Sequence, residues 1–566
     1  LDCDDEIFSD TIRLHYNHAI KTSADVVRGY LIVNDGNSIN NMNQLKDWHN
    51  NLDRKNRISM IISQQSTVVP SLIRLSLIRD NNILWPEDIR MGEDSVFLAS
   101  VLSKAKRIEY IDHQTFIYNK QPAFTASTTQ SYGAKELRDH LNVWRKVHNI
   151  LLREDLNYIE LRLRVGLQTA LLMLIFRNRH DIDEILFSQF SDFICEHFDI
   201  VATFNYSDRL KGIIFSIHSR NYLIFKQLCR PRLLIAGYDL KFISLAIPIL
   251  EKYFDIRLDT WTGHDSHDEK KSRELLDWAE LIWCEWLLGN AVWYSANKRL
   301  DQRLVVRMHR FELSRNFGEK VKFRMVDAVV VVSVLFFEKF LERFPNFSRA
   351  KLRLVPNFIK TFRTDRIFNG DCLFTLAMIG IIPSRKGLHR ALEILAKLRS
   401  SDKRFRLEIF GELPDNIPWI KSDRAETNYS QKCYKFIQVN DLSNHVTFNG
   451  HCNLESALKD KNVGFVLSLS DSTNDFPGPE SFHLAIADGF GAGSVSLILK
   501  WSGAEYIWPQ EFILSTPDKI VSRILSFCNN KNDFIQASER GRLFIEENYC
   551  MDNFVQRVVN LYQELM

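Results

Sequence analysis

Residues 478–493 have the sequence GPESFHLAIADGFGAG, which places two carboxylates eight residues apart just before an apolar run. Glu480 precedes a helix-like segment, and Asp488 lies within it. One interpretation is that both acids are solvated, because charged side chains are mostly found at protein surfaces. The other is that the start of a helix between the two acids forms part of a ligand site. The rest of the sequence decides between these interpretations.

Length and composition limit the class of protein. A chain of 566 residues is too long for one hydrophobic core and indicates about three domains. The 45% hydrophobic and 25% charged residues are typical of a globular protein, and a formal charge of +3 is too small to indicate a nucleic acid partner. The nine cysteines form no CxxC pair, which argues against a zinc site and a disulfide framework and favours the reducing cytoplasm.

The most apolar segment, residues 165–176, is shorter than the ~20 residues that span a bilayer. Gln168 and Thr169 interrupt it, so we predict a buried helix there. No signal peptide precedes the first domain, and the chain begins at Leu1 on the acidic stretch LDCDDE. A cytoplasmic location is therefore expected.

Short apolar runs alternate with helical patterns over residues 232–357: RLLIA, FDIRLDTW, AELIWCEW, RLVVRMH, DAVVVVS and KLRLVPN. After a polar segment at 360–371 the alternation restarts with LFTLAMIG, RFRLEIFG, VTFNG, VGFVLSL, GSVSLIL and FILS. This pattern predicts two consecutive α/β domains, each a doubly wound parallel sheet, with a boundary near residue 365. Ligands of such sheets bind beyond the carboxyl ends of the strands.

Loops after these runs carry the candidate binding residues. Lys386 and Gly387 precede an amphipathic helix, whose first amides and positive dipole end favour a phosphate, with Lys386 adding a point charge. An exposed lysine in a first helical turn is the alternative. Gly237 lies at a similar strand-to-helix turn. His309 follows the strand RLVVRMH, where a histidine is as often a core residue as a catalytic one.

Taken in order, residues 232–566 resemble the GT-B glycosyltransferases of family 4, which have two Rossmann-like domains. The resemblance rests on IGIIPSRKG against the family's G-R-L-x-x-x-K-G, on LEIFGE and VTFNG, and on residues 478–493 against its E-x7-E motif. It implies that Glu480 faces the transferred sugar and that the amides of Phe482, His483 and Leu484 meet the diphosphate. The second acid, Asp488, would hold the ribose hydroxyls.

Two positions depart from the family pattern. Asp488 is one methylene shorter than the usual glutamate, so it would lie nearer the ribose or reach it through water. Ile381 replaces the usual arginine, which leaves Lys386 and Arg385 as the cationic pair. His309 falls where many family members carry a histidine near the sugar.

The N-terminal region resembles the second half of a family 2 GT-A glycosyltransferase. LDCDDE matches a D-x-D-D metal motif, in which Asp2 and Asp4 would bind Mg²⁺ or Mn²⁺. About 90 residues later, GEDS matches the family's catalytic-base motif, so Asp94 is the candidate base and Glu93 its neighbour. A solvated acidic terminus and a plain acid pair at a helix start are the alternatives.

A GT-A domain normally has its nucleotide-binding half before this motif, so we expect a fragment of a longer two-enzyme chain. The predicted domains are a partial GT-A domain (1–130), a helical linker (131–230), and the two GT-B domains (231–365 and 366–566). Arg and Lys residues of the linker would give peripheral contact with anionic lipid at the inner membrane face, although a solvated helix face is favoured.

The predicted function is a bifunctional glycosyltransferase of hexosyltransferase type in surface polysaccharide biosynthesis. Its partners would be a nucleotide-sugar donor and a glycan or lipid-linked saccharide acceptor. The C-terminal module would retain the anomeric configuration and need no cofactor, whereas a complete N-terminal module would invert it and use the metal. Two alternatives remain open: a non-catalytic nucleotide-sugar or glycan binding protein, and a sugar-nucleotide epimerase.

Overall fold

A computed structural model describes residues 5–34, 38–65, 67–119, 132–176, 182–360, 370–470, 478 and 480–566 of the chain. Contacts divide the protein into two compact units, Leu1–Pro231 and Arg232–Met566. The predicted boundaries near residues 130 and 365 lie outside the described residues.

A small mixed sheet and a set of helices form the first unit. Its strands are β1 (Glu6–Ile7), β2 (Val26–Asn34), β3 (Ile39–Met42), β4 (Ser71–Ile73) and β5 (Ile108–Asn119). Its α-helices are α1 (Thr11–Thr22), α2 (Arg54–Gln64), α3 (Leu75–Asp80), α4 (Glu93–Lys104), α5 (Ala134–Leu152), α6 (Arg164–Phe176), α7 (Glu184–Glu196), α8 (Phe198–Val201), α9 (Asp208–His218) and α10 (Tyr222–Leu228). A π-helical turn (Ile159–Leu163) leads into α6.

The sheet of the first unit has the order β1-β5-β2-β3, with β4 also paired to β2. β2 and β5 are parallel, and the other pairs are antiparallel. Buried side chains of α5, such as Leu137 and Leu141, share one core with Val26 of β2 and Leu98 of α4. The helices of residues 132–230 therefore pack as part of this unit.

The second unit begins with a six-stranded parallel sheet. Its strands are β6 (Arg232–Gly237), β7 (Asp255–Thr260), β8 (Leu281–Glu285), β9 (Arg303–Met308), β10 (Ala328–Val331) and β11 (Leu352–Leu354). The accompanying helices are α11 (Ile247–Leu250), α12 (Glu269–Trp278), α13 (Gly289–Asn297), α14 (Phe317–Lys320) and α15 (Val334–Arg343). The strand order is β11-β10-β9-β8-β6-β7.

A second six-stranded parallel sheet follows. Its strands are β12 (Thr375–Ile379), β13 (Arg406–Phe410), β14 (Val446–Phe448), β15 (Phe465–Ser468), β16 (Val495–Leu499) and β17 (Ile513–Leu514). Its helices are α16 (Leu388–Ser401), α17 (Pro418–Ser422), α18 (Arg424–Val439), α19 (Leu454–Asp460), α20 (Leu484–Gly491), α21 (Pro517–Asn529) and α22 (Lys531–Tyr549), and α23 (Met551–Leu565) ends the chain. The strand order is β14-β13-β12-β15-β16-β17.

The predicted α/β class with two Rossmann-like doubly wound domains is confirmed, because every quoted apolar run between residues 232 and 514 forms a parallel strand. The inner strands of both sheets are almost wholly buried, as expected where helices cover both faces of a sheet, whereas the edge strand β7 is mostly exposed. α23 packs on the first of these sheets, and the Tyr562 hydroxyl donates to the Ile282 carbonyl oxygen (3.0 Å). The last helix thus returns to the first of the two domains.

Strand order reverses once in each domain and so fixes where a ligand crevice opens. The reversal lies between β6 and β8 in the first sheet and between β12 and β15 in the second. Loops at the carboxyl ends of these strands diverge to opposite faces of their sheet, which leaves a crevice. The candidate site should therefore be built by the segments after β6, β8, β12 and β15.

Membrane-spanning candidates are absent from the described helices, since none combines the length and apolarity required. The predicted buried helix at 165–176 is confirmed by α6, in which Leu167, Leu171 and Leu174 are fully buried.

Candidate functional site

A cleft of about 470 Å³ opens between the carboxyl ends of the two parallel sheets of the second unit. Phe242, Trp286 and His309 line it from the first domain, after β6, β8 and β9. From the second domain, Lys386 follows β12 and Glu480 follows β15. The cleft thus lies where the strand order predicts a ligand.

Glu480 is buried at the centre of a cluster of donors. Its Oε1 atom accepts hydrogen bonds from Lys386 Nζ (2.6 Å), Arg385 Nη1 (2.9 Å) and Ser470 Oγ (2.6 Å). Burial acts to raise the pKa of Glu480, but Lys386, His483 and Arg385 outweigh it and hold the pKa well below its usual range. Glu480 is therefore an ionised carboxylate at neutral pH, suited to orient a ligand or stabilise positive charge and unable to act as a proton donor.

The loop that carries Lys386 is shaped by a glycine. Gly387 has φ +82°, and a Cβ atom at this position would lie 2.3 Å from the Leu469 carbonyl oxygen. A residue with a side chain would therefore push the loop after β12 away from the loop after β15. Ser384 anchors the other end of the same turn, since its backbone N–H and its hydroxyl both donate to Glu426 (2.7 Å each).

Helix α20 begins between the two acids of the E-x7-E-like stretch. Its first residue is Leu484, and its N-cap is His483, which has φ +65°. The first amides of a helix have no partner within the helix and favour an anion. Burial, with a further contribution from Lys386, lowers the pKa of His483 to about 3, so its ring is neutral at pH 7. The ring Nδ1 lies 2.8 Å from Ser468 Oγ, which fixes the N-cap at the end of β15.

Phe482 points away from the cleft. Its side chain is 1% exposed and packs against Trp508 and Tyr549, with ring centroids 5.1 and 4.9 Å away. His483 and Leu484 line the cleft, whereas Phe482 anchors the start of the helix in the core. Only the backbone of Phe482 is thus placed for the predicted contact.

Asp488 lies two turns into α20 and lines the same cleft. Burial alone raises the pKa of this carboxyl group to about 7, because no described charge or hydrogen-bond donor opposes it. Asp488 is half-buried and also borders an adjoining cavity of about 400 Å³, which Lys241 and Lys360 line as well. The structure thus gives the two acids opposite environments, one paired and ionised, the other unpaired and near half protonation at neutral pH.

His309 belongs to a buried polar network at the end of β9. Its Nε2 atom lies 2.9 Å from Glu285 Oε1, which also accepts from Arg307 Nη1 (3.2 Å). The His309 backbone N–H donates to Glu312 Oε1 (3.0 Å), and burial raises the pKa of Glu312 to about 7. Burial also lowers the pKa of His309, so its ring is neutral at pH 7. One ring edge is thus fixed by Glu285 at the first domain's wall of the cleft.

Aromatic rings pack around His309. Phe242 and Trp286 each have ring centroids 4.4 Å from its imidazole. These two residues were not among the predicted site residues. Their position directly after β6 and β8, the strands at the reversal, was the available signal. Gly237, in contrast, is packed at the end of β6, where a Cβ atom would lie 2.8 Å from the Glu285 carbonyl oxygen. It does not line the cleft.

Two further polar residues of the site were missed. Ser470, the third donor to Glu480, ends the run VGFVLSLS, where a serine after an apolar strand was the signal. Arg310 follows His309 and donates from Nε to the carbonyl oxygen of Gly478, two residues before Glu480. Its contact is with the opposite domain, so sequence spacing gives no sign of it.

In the first unit, Asp94 lies at the start of α4 beside a buried arginine. The Thr67 hydroxyl donates to Asp94 Oδ2 (2.8 Å), and Arg28 donates from Nη2 to the Thr67 carbonyl oxygen (2.7 Å). Arg28 is fully buried, and burial lowers its pKa to about 9, against the opposing effect of Asp94. The Arg28 Nε atom also donates to Gln65 Oε1 (2.6 Å). Asp94 is thus held in a fixed position.

Glu93 and Asp94 border two cavities, of about 580 and 540 Å³. Burial raises the pKa of Glu93. Asp5 lines the first cavity, whereas Asp2 and Asp4 lie outside the described residues. Among the described residues, no group of three or more His, Cys, Asp and Glu side chains is arranged to hold a metal ion. The predicted metal site at Asp2 and Asp4 therefore stays a prediction.

Comparisons of the sequence with models of known families and with curated proteins found no match. A search of solved structures found similar chains. Anabaena Alr3699/HepE in complex with UDP and glucose is 12% identical, with TM-score 0.44 over 59% of this chain and 99% of HepE. Sucrose-phosphate synthase from Thermosynechococcus elongatus is 14% identical, with TM-score 0.45 over 59% and 99% of the two chains.

A further similar structure is a mutant of S. aureus TarM in complex with fondaparinux, alpha-GlcNAc-glycerol and UDP. It is 14% identical, with TM-score 0.38 over 50% of this chain. The match covers 55% of TarM, so this chain corresponds to about half the length of that protein.

Proposed function

We propose that the second unit transfers a sugar from a nucleoside-diphospho-sugar to a glycan or lipid-linked saccharide, as a step of surface polysaccharide biosynthesis. One observation carries the proposal: an ionised, buried carboxylate, Glu480, is held by Lys386 and Arg385 at the start of α20, inside a cleft between two Rossmann-like domains. The E-x7-E-like stretch of the sequence supports the same function.

The chemistry of each end of the cleft matches one part of such a donor. Lys386, Arg385 and the first amides of α20 would bind the diphosphate, because cations and unpartnered amides are what phosphate oxygens require. Glu480 would accept hydrogen bonds from sugar hydroxyls and stabilise the positive charge that develops when the glycosidic bond breaks. Asp488, two helical turns away, would accept hydrogen bonds from the ribose hydroxyls.

His309 would contact the transferred sugar from the first domain. Its neutral ring lines the cleft, with Nε2 directed at Glu285 and only 4% of the residue exposed. Retention of the anomeric configuration is part of the proposal through the E-x7-E resemblance. NMR assignment of the anomeric proton in the product tests that point, and an inverted product contradicts it.

A thermal-shift panel of UDP-, GDP-, ADP-, CMP- and dTDP-sugars is the first test of the donor class. Ligand that binds only the folded state stabilises it by RT ln(1 + [L]/Kd), about 2.7 kcal/mol at a hundredfold excess over Kd. We expect stabilisation by one nucleoside-diphospho-sugar and its free diphosphate. A chain that is stabilised by none of them does not have the proposed function.

The proposed second activity uses the first unit. Asp94 would take a proton from an acceptor hydroxyl in an inverting, Mg²⁺- or Mn²⁺-dependent transfer, with Asp2 and Asp4 holding the metal. The fixed position of Asp94 between two cavities supports this assignment. In a complete N-terminal module, Asp94→Asn should abolish a metal-dependent transfer and leave the metal-independent one unchanged, while Lys386→Ala should do the reverse.

A nucleotide-sugar binding protein without turnover is the second candidate. The observation that favours it is the saturation of Glu480 Oε1 by three protein donors, which leaves that oxygen little capacity for a substrate hydroxyl. Such a protein would bind a nucleoside-diphospho-sugar and return it unchanged. A sugar-nucleotide epimerase, in turn, would release isomerised sugar without an acceptor.

A further inference from the structure

Arg310 crosses the cleft between the two Rossmann-like domains of the second unit. It directly follows His309 at the end of the first domain's strand β9, and its guanidinium Nε donates to the Gly478 carbonyl oxygen of the second domain. The side chain is half-buried and lines the cleft beside Arg385, Lys386 and Glu480. A cation of the first domain is thus placed among the predicted diphosphate ligands of the second.

The terminal nitrogens of Arg310 are available to a ligand. Among the described residues, none accepts a hydrogen bond from Nη1 or Nη2, and neither atom is among the fully buried polar atoms without a partner. Because the side chain lines the cleft, both atoms are placed to contact a ligand bound there. Burial, with a further contribution from Arg385, lowers the pKa of Arg310 to about 10, so the group remains charged at neutral pH.

The described charges beside Glu480 favour an anion. Arg310, Arg385 and Lys386 supply three positive charges around Glu480, the one ionised carboxylate among them. The rings of His309 and His483 are neutral at pH 7, so cations outnumber ionised carboxylates among these described groups. A nucleoside diphosphate esterified to a sugar carries two negative charges on its phosphates.

The G-R-L-x-x-x-K-G motif that residues 380–387 resemble has an arginine at its second position. In this chain Ile381 stands there, and it is only 3% exposed. We propose that Arg310 replaces that cation from the opposite domain and binds the phosphate next to the transferred sugar, with the Gly478 carbonyl orienting its guanidinium. The inference rests on the proposed function and deepens it. The sugar-side phosphate is chosen because Glu480 and Arg385 are the charges that interact with Arg310.

Isothermal titration of the full chain with UDP and with UMP tests the inference, UDP being the nucleotide present in the HepE and TarM structures. If UDP does not bind, the same titration is repeated with the other nucleoside diphosphates and their monophosphates. Arg310→Ala should weaken diphosphate binding about tenfold or more, the loss of a charge-assisted contact, and change monophosphate binding by less than about threefold. Arg324→Ala, which removes an exposed arginine of the same domain, is the matched control and should change neither.

Two more substitutions separate charge from structure. Arg310→Gln can still donate to the Gly478 carbonyl but has no charge, so it should bind UDP as weakly as Arg310→Ala. Arg310→Lys keeps the charge and should restore most of the UDP affinity. If Arg310→Ala does not fold, the comparison of UDP binding by Arg310→Gln and Arg310→Lys still tests the inference.

An Arg310→Gln variant that binds UDP as the wild type does would overturn the inference. So would equal weakening of UDP and UMP, since that result means that Arg310 supports the fold of the cleft rather than one phosphate. Failure of the proposed function has a different signature, because the wild type itself would then bind no nucleoside diphosphate.

Discussion

The Lys386 ammonium and the Glu480 carboxylate lie 2.6 Å apart, although 94 residues separate them in the sequence. The loops after β12 and β15, the strands at the order reversal, bring them together. Both groups are largely buried, with 15% and 7% of their side chains exposed. Removing Glu480 would leave the buried Lys386 ammonium without this counter-charge, whereas removing Lys386 would leave Glu480 paired with Arg385, so substitutions here test more than one contact.

Glu480→Gln is expected to separate chemistry from nucleotide binding. The variant keeps the size of the side chain and removes its charge, so transfer should slow on the order of 10²-fold, as for loss of a preorganised electrostatic group. The Kd for the free nucleoside diphosphate should stay the same or fall, because Lys386 and Arg385 lose a competing anion. Single-turnover kinetics and calorimetry measure the two quantities. An unchanged rate would remove Glu480 from the reaction.

Asp488→Asn is expected to stabilise the protein at alkaline pH. Burial raises the pKa of Asp488 to about 7 in the folded state, above the ordinary value of 3.8 for an aspartate. Folding then favours the protonated form, so the stability cost of this carboxyl group begins near its unfolded pKa, grows as pH rises and is complete above its folded pKa. The melting temperature of Asp488→Asn should exceed that of the wild type at about pH 8, and the difference should shrink towards about pH 4.

The control for this comparison is Asp460→Asn, which changes an exposed aspartate of the same domain and should show no such trend. A wild type as stable as Asp488→Asn at alkaline pH would mean that the Asp488 carboxylate is solvated. Asp488→Asn should also raise the KM for the donor, because the ribose hydroxyls lose their hydrogen bonds to a charged group. Such a loss costs on the order of 1–3 kcal/mol of binding free energy.

Gly387→Ala is expected to damage the cleft through the backbone. The position has φ +82°, and a Cβ atom would meet the Leu469 carbonyl oxygen at 2.3 Å. Strain of this kind costs about 1–3 kcal/mol and should displace Lys386, so both stability and diphosphate affinity should fall. Gly370→Ala, where a Cβ atom meets nothing within 4 Å, is the control. Equal denaturation midpoints for the two variants would refute the packing argument.

Nucleotide binding by the second unit is expected to be independent of divalent metal. Amides of α20, Lys386 and Arg385 would provide the positive environment that a metal ion provides elsewhere. Calorimetry of UDP binding with and without EDTA should therefore give the same Kd. Loss of UDP binding in EDTA, with recovery on adding Mg²⁺, would show that the protein binds the diphosphate through a metal ion instead.

The sheets of residues 232–566 could be predicted from the sequence because their strands are local. An apolar run such as RLVVRMH or LFTLAMIG determines its own strand once helices cover both faces of the sheet. The positions of Lys386 and Glu480 followed from the same pattern, since each comes directly after such a run. The E-x7-E-like stretch then suggested that the two belong to one site.

Contacts that depend on distant segments could not be predicted. The bond from Arg310 to Gly478 joins residues 168 apart in the sequence, and the Arg28 network joins three segments of the first unit. That no described charge or donor opposes the effect of burial on Asp488 is equally hidden, because it depends on how distant segments pack. The binding role predicted for Gly237 stays a prediction, and packing against Glu285 accounts for a glycine at this position.

The most direct test of the central claim is transfer of radiolabelled sugar from a nucleoside-diphospho-sugar, compared between wild type, Lys386→Ala and the exposed-residue control Lys403→Ala. We predict that the wild type and Lys403→Ala release the nucleoside diphosphate and move label to a saccharide acceptor, and that Lys386→Ala does neither at a measurable rate. A wild type that binds the donor but leaves its glycosidic bond intact with every acceptor, or a Lys386→Ala variant as active as Lys403→Ala, would contradict the account.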